Sequence, residues 1–123
     1  MAGNAALFVI PGGEEAKGAN LVYRAVNSTG DVIYVGITKN FERRAVAHLA
    51  EKGIQIRAIP GLTGLSRFDS RAVEQVLIEE YGLGKDGGTL LNKINSIATR
   101  NPIYRSAIRR GTDLLQSIGY PGF

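Results

Sequence analysis

The chain of 123 residues has no cysteine, a single histidine and no long apolar run, and each absence removes a class of chemistry. Without cysteine there is no disulfide framework, no zinc–cysteine site and no thiol nucleophile, which fits a cytosolic working environment. His48 alone cannot build a multi-histidine metal centre. No apolar stretch approaches the roughly 18 residues of a membrane span. The short apolar run at residues 7–10 lacks the basic lead-in of a secretory signal, so action in the cytoplasm and no membrane partner are expected. There is no internal repeat, low-complexity tract or interdomain linker. The loop Gly84-Lys85-Asp86-Gly87-Gly88 has three glycines but no following Gly-Lys-Ser/Thr, which excludes a phosphate-binding P-loop.

What is present is ordinary for a globular domain: 44% apolar and 21% charged residues. The length allows one domain with a modest core, so residues 1–123 are read as a single unit. Fifteen Lys and Arg against 11 Asp and Glu leave a net charge of +4, which favours a polyanionic partner.

Residues 1–19 read as a loose leader broken by Pro11-Gly12-Gly13, with residues 7–10 a possible edge strand. Residues 20–26 and 32–37 are β-branched, aromatic-containing runs around the turn-like Asn27-Ser28-Thr29-Gly30-Asp31, predicting an antiparallel hairpin. Symmetric pairing about that loop sets Tyr23 opposite Tyr34, both phenols on one face, unless a bulge at Gly30 shifts the register. A helix follows, capped by Thr38 or Asn40 and ended by Gly53, with Phe41, Ala45, Leu49 and Ala50 as its apolar stripe. On a neighbouring face Arg44 and His48 lie one turn apart. Residues 54–59 alternate as a third strand, stopped by Pro60-Gly61. Asp69 or Ser70 caps a second helix to Tyr81, with Glu74 beside its apolar face. Residues 90–97 fit a short strand or an ordered loop equally well. Asn101-Pro102 opens a last helix over about residues 102–118, made basic by Arg100, Arg105, Arg109 and Arg110 against Asp113. The class is α/β: a small, mainly antiparallel sheet flanked by helices, with an extra helix at the C-terminal end.

The ordered set Leu21-Val22-Tyr23, Tyr34-Val35-Gly36, Arg44, His48, Glu74 and Leu91-Asn92 resembles the GIY-YIG nuclease family over a core of about residues 20–95. Arg44 falls ten positions after the second tyrosine, where such nucleases carry arginine, and His48 four later. The first motif keeps its tyrosine but has lost its Gly-Ile. Asn95 competes with Asn92 for the asparagine, and Glu79 and Glu80 with Glu74 for the glutamate. The resemblance implies catalytic roles for Tyr23, Tyr34, Arg44, His48, Glu74 and Asn92, with Glu74 binding magnesium or another divalent cation such as manganese. Lys39, Arg43, Arg105 and Arg109 are assigned to nucleic-acid contact.

These residue types suit phosphodiester cleavage. Arginine offers a planar fork to phosphate oxygens. One carboxylate suffices for magnesium, which keeps several waters. A phenol acting as general base needs its pKa, ordinarily near 10, pulled down by metal and Arg44, and His48 titrates near neutrality and can shuttle the proton. DNA is the expected substrate, as for most of the family, with RNA the alternative; a non-catalytic nucleic-acid-binding module or a protein-docking domain are the rival classes. A compact core followed at once by a helix is similar to the nuclease tips of bacterial polymorphic toxins, which implies a cognate immunity protein as partner.

Overall fold

Tyr, Val and Ile favour extended chain, and Asn27 supplies the reversal between the first two strands. Its Oδ1 accepts from the backbone of Thr29 and Asp31 at 3.1 and 2.9 Å, with Gly30 at a φ of 89°. The computed structural model describes residues 18–123, so residues 7–10 and their expected edge strand lie outside the described residues. Strands β1 (Leu21–Val26) and β2 (Val32–Thr38) form the hairpin, and β3 (Ile56–Ala58) pairs on the other side of β1. The sheet order is β2-β1-β3, antiparallel throughout. Helix α1 (Phe41–Lys52) lies between β2 and β3; α2 (Arg67–Tyr81) and α3 (Tyr104–Ser117) follow.

The register differs from the symmetric one. Tyr23 pairs with Gly36 and Tyr34 with Ala25, because the ladder shifts between Ala25 and Val26 rather than at Gly30. The offset is two residues, so both tyrosines still project from the same face, as diagonal neighbours. On the opposite face Val22 and Val35 pack into a core with Val73, Val76 and Leu77 of α2 and Leu115 of α3. Burying each of those leucines stabilises the fold by roughly 1.5–3 kcal/mol.

Asn40 caps α1, its side chain accepting from the Arg43 amide at 3.1 Å, and Gly53 ends it in the left-handed conformation. The inward stripe of α1 is Phe41, Ala45 and His48, not Phe41, Ala45, Leu49 and Ala50; His48 is the buried residue and Leu49 is 55% exposed. Helix α2 starts earlier than expected, because Ser66 rather than Asp69 or Ser70 is the cap and accepts from the Asp69 amide. Helix α3 starts later: Asn101 accepts from Ile103 N–H at 3.0 Å, so Asn101-Pro102 forms the preceding turn and Arg100 is outside the helix. An added Cβ at Gly111 would meet the Ala72 carbonyl at 2.5 Å, so α3 lies directly against α2.

Residues 90–97 prove to be an ordered loop whose beginning seals the free edge of β2. Thr89 Oγ1 donates to the Val32 carbonyl, and Leu91 N–H to that of Ile33. The Asn92 amide pairs with both backbone groups of Val35, at 3.1 and 2.8 Å. An edge strand that would otherwise offer unpaired peptide groups is thereby capped by side chain and loop. Among the described residues no helix is long and apolar enough to cross a membrane.

Candidate active site

Gly36 explains how Tyr23 is held. A Cβ at that position would stand 2.3 Å from the Tyr23 hydroxyl, so only glycine lets the ring cross its pairing partner. Tyr23 reaches α1, where its hydroxyl lies 2.9 Å from His48 Nε2. Both side chains are buried. The Tyr34 ring stacks on Tyr23 with centroids 6.3 Å apart, and His48 meets Tyr34 edge-on at 4.9 Å. His48 Nδ1 is buried and has no hydrogen-bond partner among the described residues.

Burial controls the protonation of this trio. It pushes the Tyr23 phenol far above its ordinary range, the neighbouring Tyr34 adding to the effect. Tyr34 is raised by burial and by the Glu74 carboxylate. Arg44 pulls both phenols down, as expected from its charge, but burial outweighs it. His48 is lowered by burial and by the Lys52 and Arg44 cations, so its imidazole is neutral at pH 7.

Tyr34, half-buried, also lines a cleft of about 500 Å³ running beside β2 and under residues 91–96. Helix α2 contributes Arg67, Arg71 and Glu74, spaced to fall on one face. Arg71 is fixed by hydrogen bonds to the Ser96 carbonyl and hydroxyl. Lys52 and Lys93 complete a lining of four cations around one carboxylate. Burial raises the Glu74 carboxyl above its usual range, opposed by the Ser96 hydroxyl and by Arg71 and Arg67. Buried Gln75, next to Glu74 in sequence, holds the far wall: its Oε1 accepts from Ile97 N–H and its Nε2 donates to Asn95 Oδ1.

The expected residues are therefore distributed unevenly. Tyr23, Tyr34 and His48 meet in one cluster, and Tyr34, Glu74 and Asn92 share the cleft. Asn92 faces it with both amide functions engaged by Val35, while Asn95 is held by Gln75. Glu79 accepts from Tyr104 and Gln75, away from the cleft lining, and Glu80 is exposed. Arg44, Lys39 and Arg43 are exposed and do not line the cleft. Arg105 and Arg109 flank a separate shallow depression on α3, and Arg110 forms a two-pronged ion pair with Asp69 at 2.9 and 3.0 Å, so it is not free for phosphate. Lys52, Arg67, Arg71 and Lys93 escaped the reading of the sequence. For two of them a signal existed, since Arg67, Arg71 and Glu74 recur at i, i+4 and i+7.

The implied divalent cation fits these residues. Among the described residues no three His, Asp or Glu gather into a metal-binding cluster, which leaves Glu74 as the lone acid of the cleft. A hard ion that keeps most of its water needs only one or two protein carboxylates. A desolvated carboxylate opening onto such a cleft offers that ligand.

The family model described as the GIY-YIG catalytic domain matches residues 19–82, just over half of the chain. The matched span contains Tyr23, Tyr34, Arg44, His48 and Glu74 and ends before Asn92. No curated protein and no solved structure matches.

Proposed function

The chain belongs to the GIY-YIG catalytic-domain family and is a phosphodiester-hydrolysing endonuclease; we propose that it cuts DNA with magnesium or manganese held at Glu74, as the toxic nuclease domain of a bacterial toxin. The observation that carries this reading is that Tyr34 and Glu74 line one cleft with four cations, Lys52, Arg67, Arg71 and Lys93. A binding module needs the positive charge but has no use for a desolvated acid facing a phenol at its centre.

Lys52, Arg67, Arg71 and Lys93 attract the phosphate backbone, and Arg71, immobilised by Ser96, presents its guanidinium at little further entropic cost. When bound at Glu74, the divalent cation supplies positive charge that stabilises the phosphoryl oxygens and opposes the upward shift of the nearby phenol. In its phenolate form, which Arg44 and bound positive charge favour against burial, Tyr34 takes the proton from the attacking water as general base. Tyr23 is the positioning residue behind it, stacked on its ring and anchored by neutral His48. Arg44 favours the phenolate of both tyrosines by its charge.

The preference for DNA follows the habit of the family, and the toxin role follows the resemblance of a compact core followed at once by a helix to toxin nuclease tips. The partner implied by that role is a small immunity protein that blocks the cleft. Cleavage of supercoiled plasmid and total RNA, run in parallel with magnesium and with chelator, tests the reading. Magnesium-dependent nicking of plasmid, lost in Glu74→Gln, is the expected result. RNA degradation with intact plasmid transfers the same site to a ribonuclease, and cutting at wild-type rate by Glu74→Gln removes the metal assignment.

A further inference from the structure

At the edge of the sheet away from the cleft, Arg24 of β1 and Arg57 of β3 are direct pairing partners. Their Cβ atoms are therefore on one face, about 5 Å apart, an arrangement of like charges that destabilises a sheet. Among the described residues the one ion pair is Arg110 with Asp69, so no described carboxylate neutralises either guanidinium. Arg24 is nevertheless rigidly placed. Its Nη1 donates to the Tyr120 hydroxyl at 2.7 Å, its guanidinium carbon lies 5.3 Å from the Tyr120 ring centre, and Tyr120 is buried and joined to the Tyr81 hydroxyl at 2.8 Å. Its remaining N–H groups have no partner among the described residues.

Both arginines border a cavity of about 630 Å³, whose other walls include Ile59, Pro60, Ile118 and Tyr120. We propose that this cavity is a second anion site, taking the phosphate of a nucleotide on Arg24 and Arg57 with the base against the apolar wall. Two adjacent guanidinium forks match a tetrahedral oxyanion, and a bound phosphate removes the repulsion that the bare pair imposes. The volume falls within the range of about 300–1,000 Å³ typical of small-molecule sites, and the cavity is bounded by the end of α3 rather than open along the strand. That shape favours one nucleotide over an extended acidic peptide. The nucleotide is either free or part of a nucleic-acid strand, and the site stands independently of the chemistry in the Tyr34–Glu74 cleft.

The test is calorimetry and thermal melting of the whole chain in chelator, with inorganic phosphate, AMP and a short oligothymidylate as probes. All three are expected to raise the melting temperature of the wild type. Arg57→Gln weakens AMP by about tenfold, as the loss of a charged hydrogen-bonding partner does. Arg57→Glu places an internal carboxylate opposite Arg24, so it melts higher without ligand and loses the AMP response. Arg67→Ala, which weakens the cleft, leaves the AMP response intact. Binding of oligothymidylate but not AMP, sensitive to Arg57, assigns the phosphate to a nucleic-acid strand; binding of AMP as well assigns it to a free nucleotide. An AMP response unchanged in Arg57→Glu, or lost in Arg67→Ala, overturns the proposal by placing the anion elsewhere. So does a wild type that answers to none of the three probes.

Discussion

The Tyr23 hydroxyl and His48 Nε2 lie 2.9 Å apart in a buried contact that joins strand β1 to helix α1. Since His48 Nδ1 has no partner among the described residues, this contact is the only hydrogen bond of the imidazole among them. Tyr23→Phe therefore leaves a buried ring with neither nitrogen satisfied, a loss of about 1–3 kcal/mol in urea unfolding. Among the described residues Tyr34 has no comparable bond. Tyr34→Phe should change stability by less than about 0.5 kcal/mol yet lower kcat by about 10²–10⁴-fold, as removal of a general base does. A Tyr34→Phe enzyme as fast as wild type would move the base to another group.

Gly36 tests the same contact from the strand opposite. Gly36→Ala puts a methyl group 2.3 Å from the Tyr23 hydroxyl, and the ring must swing off His48 to make room. Overpacking of this kind costs about 1–3 kcal/mol. The expected result is destabilisation close to that of Tyr23→Phe, with the double substitution costing much less than the two single effects added. Full additivity would show that the ring does not move.

At Glu74 the proposed metal binding can be tested apart from folding. Its carboxyl is raised above its unfolded value by burial, so its contribution to stability is present while it is protonated and is lost as pH rises through the folded pKa. Above that pKa the ionised group is therefore a burden, and Glu74→Gln should melt higher than wild type without metal. Millimolar magnesium or manganese should raise the melting temperature of wild type and leave that of Glu74→Gln unchanged. An equal response in both proteins would show that the cation binds elsewhere.

The hairpin, α1 and the body of α2 were legible in the sequence because each carries a local signal. Asn27-Ser28-Thr29-Gly30-Asp31 marks the turn, Asn40 and Gly53 bracket a helix, and alternation marks the strands. The pairing of Tyr23 with Gly36 was not legible, since the ladder shift at Ala25 and Val26 depends on how the turn closes. The stripe of α1 was misjudged for a related reason. Leu49 is more apolar than His48, but His48 gains a phenol partner inside and so turns inward. In the cleft, the residues named from motif order were individually recognisable. Lys52 and Lys93 were not, because the end of α1 and an irregular loop bring them together only once residues 89–92 lie along β2.

The histidine gives the fold a pH dependence of definite sign. Its folded pKa is lowered by burial and by the Lys52 and Arg44 cations. Between that value and the unfolded value near 6.5 the unfolded chain binds more protons, so stability rises with pH there. Wild type should lose stability as pH falls below about 6.5 toward the folded value, whereas His48→Gln should show a flatter profile over the same window. Glutamine retains a polar partner for Tyr23, so its own cost at high pH does not hide the slope. Parallel profiles for the two proteins would mean that His48 titrates alike in both states.

Asn92 distinguishes a positioning residue from a group that meets substrate or metal. Its oxygen accepts from Val35 N–H and its nitrogen donates to the Val35 carbonyl, which fixes the middle of β2 one residue from Tyr34. Asn92→Asp keeps the shape but sets a carboxylate oxygen against that carbonyl, with a loss of about 1–3 kcal/mol. Because the added charge borders the cleft, Asn92→Ala is the cleaner variant for kinetics. It should lower kcat by loosening Tyr34 while leaving the magnesium concentration for half-maximal rate as in wild type. A shift in that concentration comparable to the effect of altering Glu74 would instead make Asn92 part of the metal site, and its bonds to Val35 would then have to open during turnover.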